Sequence, residues 1–402
     1  MTQRHSRNTG FTLLEVMIAA ALGIVVVATG LAVGTQLQRR ALFEEQTTMA
    51  LTTGRTLEEL LSSQVARAGA GMGNTPVSFA DNDDRFGIEV WSNPSAEPFF
   101  TSDGDYVPPD AGKKQPASDA LRLYWGNSGA LISLEGCGVK GSSVRQGTDQ
   151  FCMAPNSSSG LNPPTGQPFT LAVLANANEQ SACALKVTNV NPGANLLTAT
   201  LGTGSLTTGG CALGDSDVYW TGTDWLIMGL EGVAYRVNWK DGIPTLEALP
   251  SGATEWQVVS RDVEQLKVRQ AVVNLLDVNA APRWFPEPDL SLSTPPRPAI
   301  SDCTAGDLAT VCQVETPDFE SFDTPETEKI RQRRLQQRVR EVEITLVVRT
   351  RRSNRDVTEP DVQDEDGFFK DGYKRRTFTF RVAPRNFGVA GLVPPAPTGV
   401  TP

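Results

Sequence analysis

From Val16 to Gly34 the chain runs for 19 residues without a charge. A helix begun at Phe11 is about 36 Å long at Gly34, enough to cross a bilayer core of roughly 30 Å. No second run of this kind occurs in the 402 residues, so a polytopic membrane protein is excluded and everything after the run has to fold outside lipid. The remainder has globular composition with a loop-rich lean, 39% hydrophobic with 36 Gly and 27 Pro, which excludes a collagen or a disordered chain. Its length allows two or three domains.

The run is not followed by the small-residue pattern of a cleaved secretory signal; it continues into Gln36-Leu37-Gln38-Arg39-Arg40. The processing signal lies in front instead. A short polar, basic leader ends at Gly10, and Phe11, Thr12, Leu13, Leu14 and Glu15 open the apolar helix. This G-F-T-L-L-E start resembles the type IV prepilin family. The resemblance implies cleavage between Gly10 and Phe11 by prepilin peptidase and N-methylation of Phe11. It also implies that Glu15 pairs with the free amine of a neighbouring subunit's first residue as the subunit enters a filament. An acid in lipid costs on the order of 3 kcal/mol on insertion scales, so such a residue calls for a partner. Arg39 and Arg40 weaken a charge-based orientation, and the peptidase sets it: residues beyond about 40 are expected in the periplasm.

Cleavage removes Arg4 and Arg7 and no acid, taking the formal charge from −10 to −12, and removes His5, the one histidine. The mature chain then has none, which excludes Ser-His-Asp and Cys-His catalysis and every His-ligated metal site. The acidic balance argues against whole-surface nucleic-acid binding.

From Thr35 to about Ala70 no proline interrupts the pattern. Leu57, Leu60, Leu61, Val65 and Ala68 recur at helical spacing until Gly69, Gly71, Gly73 and Pro76 end it. The spacing predicts one helix over 11–70, about 90 Å long, with 11–36 membrane-spanning. It resembles the pilin spine, except that Ala32 lies where major pilins commonly carry a proline; Gly23, Gly30 and Gly34 are the flexible positions here. Gly30 and Gly34 also form a G-x-x-x-G pair, readable as a helix-packing motif or as chance in an Ala/Gly-rich segment.

Beyond residue 75 short β-like runs alternate with turn residues. A hairpin is expected across Asn191-Pro192-Gly193. Two strands, WLIMG and VAYRVNW, precede a turn at Lys240-Asp241-Gly242 and a returning strand, and another strand follows near Val263 to Val273. Residues 276–325 are proline-rich and acidic and read as a surface excursion. A short helix leads into REVEITLVVRTR, and KRRTFTFRV is a further alternating strand. The segments DVEQLKV, VREVEITLVVRT and RRTFTFRVAPRN resemble the PilW-type minor pilins of Gram-negative type IV pili. The resulting expectation is an α+β, pilin-like fold: leader 1–10, spine 11–70, variable loop-rich β region 71–224, PilW-like β domain 225–390 and flexible tail 391–402.

Six cysteines, Cys137, Cys152, Cys183, Cys211, Cys303 and Cys312, follow the membrane helix, an even number suited to disulfides in an exported domain. Of fifteen full pairings, nearest-neighbour pairing is expected. With no C-x-x-C and no mature histidine, zinc and redox sites are disfavoured, and no metal or cofactor is expected. Asp81–Asp84 and Asp361–Asp366 miss the calcium-loop pattern and read as solvated acidic loops. Between Lys329 and Arg385 there are 16 Lys/Arg against 9 Asp/Glu, a local excess that suits docking to an acidic neighbour better than to DNA.

The expected role is a non-enzymatic minor pilin that primes pilus assembly and is incorporated at low copy near the tip. The expected partners are prepilin peptidase, the inner-membrane assembly platform, other minor pilins, the major pilin and a tip adhesin. The expected location is the inner membrane as a single-pass protein with a periplasmic domain, then the surface pilus. The alternatives are a type II secretion pseudopilin of the J type and a tip adhesin or receptor.

Overall fold

The computed structural model describes residues 11–72, 76–80, 83–137, 143, 149–155, 157, 160–176, 181–201, 225–274, 280–287, 297–308, 310–314, 332, 335–351, 359–365 and 367–384. The leader, Cys211, most of the expected 325–337 helix and the tail lie outside these residues.

Helix α1 (Leu13–Arg67) is 55 residues long and continuous. It starts two residues after Phe11 because Thr12 caps it, and it stops because Gly69 and Gly71 take left-handed φ values of 71° and 73°. Gly69 then donates its N–H to the Tyr124 carbonyl at 2.8 Å, so the chain leaves the helix straight onto a strand.

The chain divides into two compact units, Met1–Thr52 with Thr350–Lys374, and Thr53–Arg349 with Arg375–Pro402. Within the second unit, eleven described strands form one sheet: β1 (Val77–Ala80), β2 (Asp83–Arg85), β3 (Ile88–Trp91), β4 (Ala120–Ser133), β5 (Gln150–Cys152), β6 (Thr170–Asn176), β7 (Ser181–Asn191), β8 (Leu196–Leu201), β9 (Leu226–Asn238), β10 (Thr245–Pro250) and β11 (Gln257–Arg261). All its pairs are antiparallel except β1 with β7. β7 and β8 form the expected hairpin, joined by a 3-10 turn at Pro192–Ala194.

The two strands expected at 225–239 are one. β9 runs through Gly229 and Gly232 without a break, because Gly232 is where the Tyr124 ring and the Leu123 carbonyl approach the backbone too closely for a Cβ. β9 pairs with β4 and β6 as well as β10, so the strands on either side of residue 224 share one sheet.

A second, antiparallel sheet contains β12 (Val263–Val272), β13 (Arg283–Phe285), β14 (Val339–Arg349) and, after the intervening β15 (Glu359–Gln363) and β16 (Phe369–Lys370), β17 (Arg375–Val382), in the order β13-β12-β14-β17. Leu266, Val268, Ile344 and Leu346 are fully buried, whereas Glu343 on the opposite face binds Arg269 at 2.9 Å and Arg381 at 2.8 Å. The described parts of 276–325 are not a surface excursion: β13 joins this sheet, and Phe285, Ala299, Ile300, Cys303 and Cys312 are buried.

Residues 117–119 join the two sheets. Asp119 donates its N–H to the Leu266 carbonyl at 2.7 Å, and its carboxylate takes the Val268 N–H at 2.9 Å and the Lys267 ammonium at 2.8 Å. In the first unit β15 and β16 pair as a two-stranded sheet, which places Asp361 and Asp364 in an exposed hairpin.

Candidate functional site

Phe11 lies outside the helix and is 86% exposed. Thr12 and Glu15 then form a capping box. The Thr12 backbone N–H and hydroxyl both donate to Glu15 Oε2, at 3.0 and 3.1 Å, and the Glu15 N–H donates to the Thr12 hydroxyl at 3.3 Å. The T-x-x-E spacing was available in the sequence as a helix start, but the motif around it drew attention to the charge of Glu15 alone. Gly10 lies outside the described residues.

Every residue of α1 from Leu13 to Leu42 is exposed, including Val16, Ile18, Leu22, Ile24, Val25, Val26, Leu31 and Leu37. Such a surface is stable only in lipid or against other apolar helices. A Cβ added at Gly23, Gly30 or Gly34 would meet nothing within 4 Å. Thr29 donates its hydroxyl to the Val25 and Val26 carbonyls and Thr35 to that of Ala32, so these two hydroxyls are satisfied within the helix.

Cover begins at Phe43 in the first unit, where the Lys374 ammonium lies 4.2 Å from the ring centre. Ala50 is buried in the same unit.

In the second unit the helix is anchored through the expected stripe. Leu57, Leu61, Val65 and Ala68 are buried, whereas Leu60 is only half-buried. Full burial of each Leu or Val contributes roughly 1.5–3 kcal/mol. Gln64 accepts a hydrogen bond from the Tyr235 hydroxyl at 2.5 Å, and burial pushes that phenol up to about 12. Gly54 lies under the ring of Phe378, which fills the place of any Cβ there.

Buried charge clusters hold the β unit, and their pairing comes from distant parts of the chain. Arg236, fully buried, binds Glu247 at 2.9 Å and Asp103 at 2.5 Å, and stacks on Trp256. Glu264 takes Arg375 at 2.5 Å and Arg349 at 3.3 Å. Burial raises the carboxyls of Glu89 and Asp119, against the pull of Arg122 and Lys267.

Cys137 is bonded to Cys152 and Cys303 to Cys312, with Cα separations of 6.0 and 6.5 Å. Cys183 is also disulfide-bonded, and Cys211 lies outside the described residues. No group of three or more metal-ligating side chains gathers among the described residues.

The family model described as the prokaryotic N-terminal methylation motif matches residues 5–31. No curated protein and no solved structure matches the chain. The matched segment contains Gly10, Phe11, Glu15 and the uncovered helix as far as residue 31. Together with the β-rich domain that follows, it supports a type IV pilin-like protein, a pilin or a pseudopilin, anchored by its N-terminal helix.

Proposed function

We propose that this protein is a minor pilin of a type IV pilus, of the PilW type. The observation that carries the reading is a carboxylate, Glu15, near the start of an apolar helix with no cover from Leu13 to Leu42, whose far end is packed on a large β unit. The helix is the part that moves from lipid into a filament, and the β unit supplies subunit-specific contacts. Prepilin peptidase frees Phe11, the inner-membrane assembly platform receives the processed subunit, and Glu15 neutralises the amine of the adjacent subunit's first residue.

Two further observations support the finer reading. The three segments that resemble PilW-type proteins fold as adjacent strands, β12, β14 and β17. At 402 residues with long loops the chain is large for an abundant shaft subunit, which favours low copy near the tip, beside other minor pilins, the major pilin and a tip adhesin. The role is structural and not enzymatic, in the inner membrane and periplasm of a Gram-negative cell and then on its surface.

The test is intact-mass and N-terminal peptide analysis of the protein from sheared filaments and from membranes, for wild type and Glu15→Gln. The expected result is methylated Phe11 at the terminus, wild type in filaments and the variant held in membranes. An uncleaved Met1-containing chain would refute the reading, and processed wild-type protein confined to membranes would assign it to the secretion pseudopilins.

A further inference from the structure

Most of the described sheet edges are blunted. β2, β5 and β13 are three residues each, β3 is four and buried, and β11 carries a bulge against β10. Short, buried or bulged edges keep other chains from pairing with a sheet. β17 is different. Its eight residues, Arg375–Val382, hold an unbroken register with β14 on one side and meet no strand among the described residues on the other. Along about 27 Å of this edge, alternate residues turn an N–H and a C=O outward, roughly four such pairs in all.

The side chains along the edge decide what fits it. Phe378, Phe380 and Val382 are half-buried on the face that Phe378 turns to Gly54, whereas Thr377, Thr379 and Arg381 are exposed on the other. Residues 375–382 hold three arginines and no acid. Glu264 takes Arg375 and Glu343 takes Arg381, but Arg376 is exposed and has no ion pair among the described residues. A second copy of β17 is a poor occupant, because pairing the strand with itself sets arginines beside arginines. A strand with apolar residues beside Phe378 and Phe380 and acids beside Arg376 and Arg381 meets both demands.

We propose that the open edge of β17 accepts an extended strand of another protein as the fifth strand of the second sheet, a strand with apolar residues alternating at its centre and acids toward its ends. The main chain supplies the hydrogen bonds, and Arg376 and Arg381 select the charge. The proposal gives the basic excess of 329–385 a place to act, and it stands whether the chain is a pilin or a pseudopilin.

The test titrates the full-length protein in detergent with three capped peptides: Glu-Glu-Val-Thr-Val-Glu-Glu, the same peptide with lysine for each glutamate, and the same peptide with proline for each valine. Proline keeps the charge and cannot donate to a ladder. The acidic valine peptide is expected to bind at least about fivefold more tightly than either of the others, and to slow amide hydrogen exchange within 376–382. Arg376→Glu is expected to weaken it about fivefold and Arg376→Lys by less than about twofold. Absence of binding, equal binding of the lysine or proline peptide, protection elsewhere than 376–382, or an unchanged affinity for Arg376→Glu would each overturn the proposal. A dimer of the full chain protected along β17 would overturn it in favour of a second copy at the edge.

Discussion

The ring of Phe378, on strand β17, occupies the space beside Gly54 where any other residue would carry its Cβ. A glycine in mid-helix costs about 1 kcal/mol relative to alanine, so by propensity alone Gly54→Ala should stabilise α1. The contact reverses the sign. Gly54→Ala is expected to destabilise the protein by roughly 1–3 kcal/mol through overpacking. Combining it with Phe378→Ala should recover part of the loss of the Gly54 change, in thermal unfolding of the full chain in detergent. Simple additivity of the two substitutions would show that the ring does not press on the helix.

Glu264 is a single buried carboxylate serving two guanidinium groups, Arg349 and Arg375. Removing one member of a buried set leaves charge without compensation, which typically costs about 3–5 kcal/mol. Glu264→Gln is therefore expected to lower stability by about that much, whereas Glu359→Gln, at an exposed pair with Lys370, should shift it by less than about 1 kcal/mol. Equal effects in denaturant titrations would contradict the burial argument.

Asp119 gives a pH dependence with a definite sign. Its carboxyl is raised in the folded protein by burial, above about 3.9 for the unfolded chain. A group shifted this way binds its proton more tightly when folded. Its favourable contribution is therefore complete below about pH 3.9 and is lost as pH rises through the higher folded value. Asparagine imitates the neutral acid, so Asp119→Asn should be relatively more costly at pH 4 than at pH 7. The opposite trend in paired unfolding curves would mean that the Lys267 contact outweighs burial.

The Cys303–Cys312 bond closes a loop with a sequence separation of 9, worth about 2.5 kcal/mol in the chain-entropy model. Replacing both cysteines with serine should lower the unfolding midpoint, and reductant should then produce a smaller further drop than it does in wild type. A variant with the wild-type midpoint would show that the bond constrains nothing in the unfolded chain.

What was legible in the sequence divides along physical lines. The spine was readable because its signals are local: an unbroken apolar run, a glycine-rich stop and a stripe at Leu57, Leu61, Val65 and Ala68 that is buried as spaced. The strands at 263–272 and 375–382 were readable from their patterns, as was the turn at 191–193. Gly232 misled, since a glycine after Glu231 between two apolar runs reads as a break until Tyr124, more than a hundred positions away, is seen against it. The buried charges were invisible for the same reason. Nothing near Arg236 announces Asp103, and nothing near Asp119 announces Lys267. Thr12 differs, because its signal was local and present and was overshadowed by the charge of its partner.

The exposed stretch of α1, Leu13 to Leu42, is 30 residues, or about 45 Å of helix. A hydrocarbon layer of roughly 30 Å shelters only two thirds of that length. Leu37 and Leu42 therefore remain wet, or half-wet at the headgroups, for as long as the subunit waits in a membrane. On the proposed reading, a bundle of neighbouring helices has no such thickness limit and can also cover Leu37 and Leu42, with Arg39 and Arg40 left at its polar rim. Lipid is then the poorer of two solvents for the apolar side chains of this helix, and its excess length favours the move into a filament.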